Sequence, residues 1–295
     1  MLKINKKLQN WFFRFASRYF SPKLFLSHVP SEEEMTSFTG RLSLETVSHC
    51  WNYSHLMAYN LSSYVNYPPK ELDVTVTIFY TEEDQATVDM LEYFGKQEVE
   101  NVTWNWQEIS KAELFRRAIG RNKAALNTKA NWVWYIDCDL MFNEGCFDTL
   151  AKRLQGKKEA LFYPRSEMVT DLLDSSHELV AKGKAPDIRT IDSSMFYQIP
   201  IRRAVGAYQI THGDVARACG YCNNIKLYQT PEAHWEKTYE DRTYRWLIKT
   251  QGVAIEIPSI YRIRHQEKGR YRKGTFFSAI RRNIRLLKTS LLKTK

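Results

Sequence analysis

Nine residues near the middle of the chain, Asn131–Asp139 (NWVWYIDCD), constrain the fold most. Trp132 to Ile136 form an unbroken apolar run that must be buried, and the run stops abruptly at two carboxylates. Its aromatic and β-branched residues mark a strand that ends in acids. Similar runs recur on both sides. Strands are expected at Leu42–Trp51, Asp73–Tyr80, Val102–Trp106, Ala160–Tyr163 and Val253–Tyr261. Helical spacing marks Ser54–Tyr64, Gln85–Phe94, Leu114–Lys129 and Cys146–Leu154, and Pro68-Pro69 closes the first of these. Strand–helix alternation of this kind predicts an α/β fold, a mixed, mostly parallel sheet flanked by helices with right-handed crossovers. Ligands of such sheets sit beyond the carboxyl ends of the strands.

Composition narrows the class further. With 43% hydrophobic and 14% aromatic residues in 295, the chain can build a large core, which excludes general disorder. No apolar run approaches the roughly 20 residues that span a bilayer. The first residues do not read as a cleavable leader, because charges recur every few positions. The charges are sorted by position. Six basic residues precede the first acid, Glu32, and ten follow the last, Glu267; with a chain total of +10, the segment 32–267 carries −6. A mildly acidic body, 41–266, is therefore expected between a basic N-terminal arm, 1–40, and a basic C-terminal tail, 267–295. Each end reads as an amphipathic helix. Over residues 2–20 the stripe is Leu2, Ile4, Leu8, Trp11, Phe12, Phe15 and Tyr19, and over 275–292 it is Phe277, Ile280, Ile284, Leu287 and Leu291. Such stripes either lie on an anionic membrane surface or pack on the body or a second subunit. Nucleic acid fits less well, since no base-reading motif accompanies the basic arms. The five cysteines include a lone Cys219-x-x-Cys222, with no second pair or histidine spacing to complete a zinc site.

Four features could carry chemistry. Asp137 and Asp139, two apart on a strand, share a side and would repel unless a divalent cation with oxygen ligands joined them; capping of the next turn or pairing with lysine is the plainer alternative. Arg116, Arg117 and Arg121 cluster at the start of a helix, either as planar phosphate-binding groups or as a solvated face. Glu240-Asp241 stands at a helix N-terminus, where negative charge is also ordinary capping. His265 follows the last strand.

In order and spacing, over roughly 42–265, these features resemble the GT-A (Rossmann-like) nucleotide-sugar glycosyltransferases, in particular the inverting family-two enzymes of polysaccharide and lipid-linked sugar synthesis. The resemblance rests on Trp51-Asn52 after the first strand, Leu61-Ser62-Ser63, Arg121-Asn122, Asp137-x-Asp139, Cys219-Gly220-Tyr221, Glu240-Asp241 and His265. Two segments depart from that pattern, Tyr80–Asp84 and Cys219–Tyr221. The resemblance implies an Mn2+ or Mg2+ ion held by Asp139, with Asp137 and His265 as further ligands. It implies that Trp51, Asn52, Thr81, Glu82, Arg117, Arg121 and Asp137 surround a nucleotide-sugar donor, a UDP-sugar by preference. Asp241 would be the general base toward a hydroxyl acceptor, lipid-linked or soluble, and Glu240 its support. The expected location is cytoplasmic, peripheral on the inner face of the plasma membrane. The competing expectations are a nucleotidyltransferase, for which no glycine-rich phosphate loop is found, and a non-catalytic binding protein on a transferase fold.

Overall fold

A computed structural model describes residues 6–25, 28–235 and 238–266; the basic helix expected over 275–292 lies outside the described residues. The chain begins with α1 (Lys6–Tyr19), β1 (Leu42–His49), α2 (Ser54–Asn66), β2 (Leu72–Tyr80), α3 (Gln85–Gly95) and β3 (Val102–Glu108). Then come α4 (Lys111–Leu114), α5 (Arg117–Asn127), β4 (Trp132–Tyr135), β5 (Leu140–Phe142), α6 (Cys146–Leu154), β6 (Leu161–Pro164) and β7 (Ser166–Leu173). The last elements are α7 (Glu178–Lys182), β8 (Tyr197–Pro200), β9 (Gln209–His212), α8 (Gly213–Cys219), α9 (Lys226–Gln229), α10 (Glu240–Leu247), β10 (Val253–Ile255) and β11 (Ile260–His265).

Seven strands form the main sheet, in the order β10-β6-β9-β4-β1-β2-β3. The run from β4 to β3 is parallel throughout, as is the β10–β6 pair; β9 alone runs antiparallel, to β4 on one side and β6 on the other. This is the expected mixed, mostly parallel α/β sheet. Four strands, β5-β11-β7-β8, form a second sheet. All four residues of β4 are buried. Successive side chains on a strand point to opposite faces, so Trp132 and Trp134 enter one core with Leu44 and Val74, while Val133 and Tyr135 enter the other with Val47 and Phe79. A strand covered on both faces needs no polar alternation, which accounts for its apolar run.

Three boundaries differ from the sequence reading. The segment 131–139 is not one strand: β4 stops at Tyr135, and Leu140 N–H donates to Asp137 C=O in a turn that starts β5 in the other sheet. The segment 253–261 also divides between the two sheets, at Pro258-Ser259, where Ser259 takes φ 61°. The helix expected over 114–129 breaks at Phe115-Arg116, which makes Arg117 the first residue of α5. All five cysteines are buried free thiols. Cys219 and Cys222 both join the second core, and burial pushes both thiols up, the former to about 11.

Where described, the N-terminal stretch packs along the body. Helix α1 buries Phe13 and Ala16, with the Phe13 ring 5.8 Å from that of Tyr228 and 5.4 Å from that of Phe25. Trp246 Nε1 donates to Phe20 C=O at 2.6 Å, tying the end of α1 to α10. The predicted apolar stripe is not the docked face: Leu8, Trp11, Phe12, Phe15 and Tyr19 are all exposed.

Gly213 opens α8 beneath β4. A Cβ there would press on the backbone carbonyl of Ala130 and sit 2.7 Å from that of Asn131. Backbone cannot swing aside as a side chain does, so Gly213→Ala is expected to cost about 1–3 kcal/mol of stability, the usual price of overpacking. Urea unfolding would show this as a lower midpoint; an unchanged midpoint would mean that the β4–α8 junction is looser than described.

Candidate active site

A cleft with about 580 Å³ of empty space, part of it open solvent, lies at the carboxyl ends of the parallel strands. Its walls include His49 at the end of β1, Cys50 and Trp51 just after it, Phe115 and Arg117 at the α4–α5 break, Asp137 and Asp139 after β4, and Trp235. The turn after β1 is fixed by Asp84: its Oδ2 accepts Asn52 N–H at 2.5 Å and the Thr87 hydroxyl at 2.6 Å. This carboxylate bridge lets Asn52 adopt φ 50°. Trp51 is held from the side, with Lys111 Nζ 4.6 Å from its ring centre and the Phe115 ring edge-on at 5.4 Å. Lys111 is itself anchored by Glu83 at 2.5 Å.

Arg117 is the hub of the site. Its Nη1 donates to Asp137 Oδ1 at 2.6 Å, and its Nη2 reaches Glu240 Oε1 at 3.3 Å. Burial opposes its charge, but the carboxylates of Asp137 and Glu240 outweigh that and hold the guanidinium firmly protonated. The acid after β4 and the first residue of α10 are thus joined through one side chain. Hydrogen bonds to charged groups are worth about 1.5–3 kcal/mol each. Glu240 is buried, and its Oε2 has no hydrogen-bond partner among the described residues. Asp241 points elsewhere: its Oδ2 accepts Gly206 N–H at 3.3 Å and lies 3.7 Å from Arg245 Nη1.

Asp139 is buried beside a second charged group. Glu167 accepts from the Tyr208 hydroxyl and from Arg262 Nη2, the latter at 2.6 Å. Burial raises the Glu167 pKa, Arg262 opposes the rise, and the charge of Asp139 adds to it. This network comes from β7, β9's approach and β11, and nothing in local sequence spacing announces it.

The structure brings Trp51, Arg117, Asp137 and Asp139 into one cleft and joins Glu240 to them. Thr81 is buried and Glu82 exposed, and neither lines the cleft. Arg121, expected to reach the donor, is fully buried: Nη1 donates to Tyr221 Oη at 3.0 Å and Nη2 to Gly206 C=O at 2.8 Å, with Tyr135 and Tyr221 about the guanidinium. It lies 3.9 Å behind Asp137 and acts on the site through that residue. His265 is buried among His55 and Tyr53 rings, with Nε2 3.5 Å from Ser175 Oγ.

Among the described residues no three His, Cys, Asp or Glu side chains gather tightly enough to cage a metal, so His265 does not complete a set with Asp137 and Asp139. The two carboxylates at the cleft nevertheless fit a hard cation of the kind that takes one or two protein carboxylates and completes its shell with water and substrate phosphates.

His49 was missed from sequence, although its place at the end of β1, two residues before Trp51, marked it. Its ring stacks on Phe79 at 5.1 Å and lies under Gly120, where any Cβ would collide with Nε2. Neither ring nitrogen has a hydrogen-bond partner among the described residues. Burial, then Arg121 and Arg117, hold the imidazole neutral, well below its ordinary pKa.

No protein-family model matches the chain, and no curated protein matches it. Among solved structures it is similar to S. aureus TarS 1–349, at 14% identity and a TM-score of 0.41, over 75% of this chain and 60% of that one. It is similar to the mannosyltransferase PcManGT from Pyrobaculum calidifontis, in complex with GDP-Man and Mn2+, at 14% identity and a TM-score of 0.40, over 98% and 71%. A longer S. aureus TarS structure matches at 13% identity and a TM-score of 0.41, over 75% and 37%. The chain spans 60% of the TarS 1–349 chain that it matches.

The buried imidazoles set an expectation for pH. His49 and, through burial, His212 have folded pKa values below the ordinary 6.5. The unfolded chain therefore binds protons that the folded one refuses as pH falls below about 6.5. Stability is full above that point and declines below it, by up to about 1.4 kcal/mol per pH unit for each group. His49→Gln should flatten the decline measured by urea unfolding between about pH 6.5 and pH 5. An unaltered slope would show that His49 titrates normally.

Proposed function

We propose that this protein is a nucleotide-sugar-dependent glycosyltransferase that moves a sugar to a hydroxyl acceptor with inversion at the anomeric carbon, a UDP-sugar being the first candidate donor. The observation that carries this reading is the ion chain Asp137–Arg117–Glu240, which joins the acids at the carboxyl end of a parallel strand to the acidic first turn of α10. Ligands of open α/β sheets bind in that position, and Trp51 offers the cleft an aromatic wall against which a base can stack.

The chemistry divides between the two sides of the site. Asp137 and Asp139 are the residues that would hold Mn2+ or Mg2+, and such an ion would supply positive charge to the departing nucleoside diphosphate. Arg117 adds a fixed positive charge on the same wall and holds Asp137 and Glu240 in register. Asp241, in the first turn of α10, would take the proton of the acceptor hydroxyl as its oxygen attacks the anomeric carbon, which requires its carboxylate to turn from Gly206 N–H and Arg245 toward the cleft. Glu240 keeps that turn in place through Arg117. With the base on the acceptor side and the charge stabilisation on the leaving-group side, the displacement is direct, and the configuration inverts.

Transfer and donor hydrolysis should be tested with UDP-, GDP- and CDP-sugars, with manganese, magnesium or chelator. Turnover is expected only with a divalent cation, releasing a nucleoside diphosphate. Asp241→Asn should lower turnover by about 10²–10⁴-fold, the usual contribution of a general base, while the donor still raises the melting temperature of the variant. Full activity in Asp241→Asn would remove the base assignment. Release of pyrophosphate in place of a nucleoside diphosphate would replace the whole reading with nucleotidyl transfer.

A further inference from the structure

Helix α1 presents an aromatic face that nothing in the described residues covers. Leu8, Trp11, Phe12, Phe15, Tyr19 and Phe20 are between 42% and 63% exposed, although the same helix buries Phe13 and Ala16 against the body. The first five follow helical spacing along α1 and form one continuous stripe, and Phe20 follows just after the helix ends. The rings are ordered against each other: Trp11 and Phe15 stack at 5.7 Å, and Phe15 and Tyr19 meet at 4.6 Å. Contiguous apolar patches of this kind mark a surface for something else.

The charge around the stripe identifies the partner. In sequence, residues 1–31, which contain the stripe, hold six basic side chains and no acid. Arg14, exposed on α1, flanks the stripe. Trp and Tyr prefer the interface between lipid headgroups and acyl chains, and anionic headgroups attract basic residues beside them. A protein partner for such a stripe would have to be both apolar and strongly acidic, whereas an anionic bilayer supplies both properties at once. No helix among the described residues is long and apolar enough to cross a membrane, so α1 would lie in the interface plane.

We infer that the Leu8–Tyr19 face of α1 is a docking surface for an anionic lipid bilayer. The surface is joined directly to the candidate site. Arg14 lies 5.3 Å over the ring of Tyr239, the residue before Glu240, and Trp246 of α10 holds Phe20. Docking therefore sets the acidic first turn of α10 one helix layer from the lipid, where an acceptor carried by that surface would arrive. The docking claim itself does not depend on the transferase reading and is tested without any substrate.

The full chain should be floated with vesicles of phosphatidylcholine alone and of phosphatidylcholine with an equal part of phosphatidylglycerol. Binding is expected only to the anionic vesicles. Trp11→Glu/Phe15→Glu, at two exposed positions, should keep the wild-type melting temperature and lose at least about tenfold in partitioning, because burying one such ring is worth more than that factor. In wild type, brominated lipid should quench the fluorescence that Trp11→Phe removes, a readout that stands even if the double variant misfolds. Equal flotation of wild type and double variant would assign binding to the basic ends alone and overturn the inference. So would unquenched Trp11, or a wild-type dimer that the double variant converts to monomer, which would make a second copy the occupant.

Discussion

Two carboxylates must be placed at the edge of a core, and the rest of the site is arranged around that cost. Trp132 to Ile136 are buried, and the chain leaves them at Asp137 and Asp139 with no intervening polar residue except Cys138. Carboxylates so close to a low-dielectric interior need compensation. Asp137 receives it from Arg117 at 2.6 Å. Asp139 lies within the field of Arg262, whose own charge is reinforced by Tyr208, Glu167 and Asp139 despite burial. Each acid is thus matched to an arginine from a different sheet or helix. The turn between β4 and β5 becomes the point where the two sheets are electrostatically joined.

Helix α5 shows how the arrangement is built. Three arginines, Arg116 just before its first residue and Arg117 and Arg121 within it, have three separate destinations. Arg116 is buried with Glu232 at 2.6 Å, Arg117 bridges Asp137 and Glu240, and Arg121 fills a cage of Tyr135, Tyr221 and the Gly206 carbonyl. A solvated arginine face would do none of this. Gly120 lies between the last two, and its missing side chain is what allows the His49 imidazole to fit against the helix. One turn of helix thereby supports the end of β1, the acids after β4 and the start of α10. Substitutions in α5 should therefore couple to one another rather than add.

Much of this was legible in the sequence, and the rest was hidden for identifiable reasons. Local periodicity found α2, α3, α6 and the four parallel strands β1 to β4, because those elements bury their own apolar residues whatever their neighbours. It ran β4 into its acids and 253–261 into one strand, because hydrophobicity does not report which sheet a residue joins; the break at Ser259 is a backbone event. It passed over β9, whose Gln209, Thr211 and His212 look polar yet are fully buried between β4 and β6. It found Asp137, Asp139 and Glu240 as charges of interest, but not Arg117 as the group that connects Asp137 to Glu240. A side chain with two partners 20 and 123 positions away in sequence leaves no local trace.

The most instructive mismatch is α1. Its more apolar stripe faces outward, and the face with less apolar surface docks. Burial area alone would choose the opposite orientation, since one aromatic side chain contributes about 1.5–3 kcal/mol and the stripe holds several. Shape decides instead. Ala16 lets the helix approach α10 closely, Phe13 fills the space between Tyr228 and Phe25, and Trp246 finds its acceptor at Phe20. A helix that forgoes its larger apolar face when docking on its own body keeps that face for another phase. Because the docked face grips α10, whatever holds the outer face also restrains the turn that carries Glu240 and Asp241.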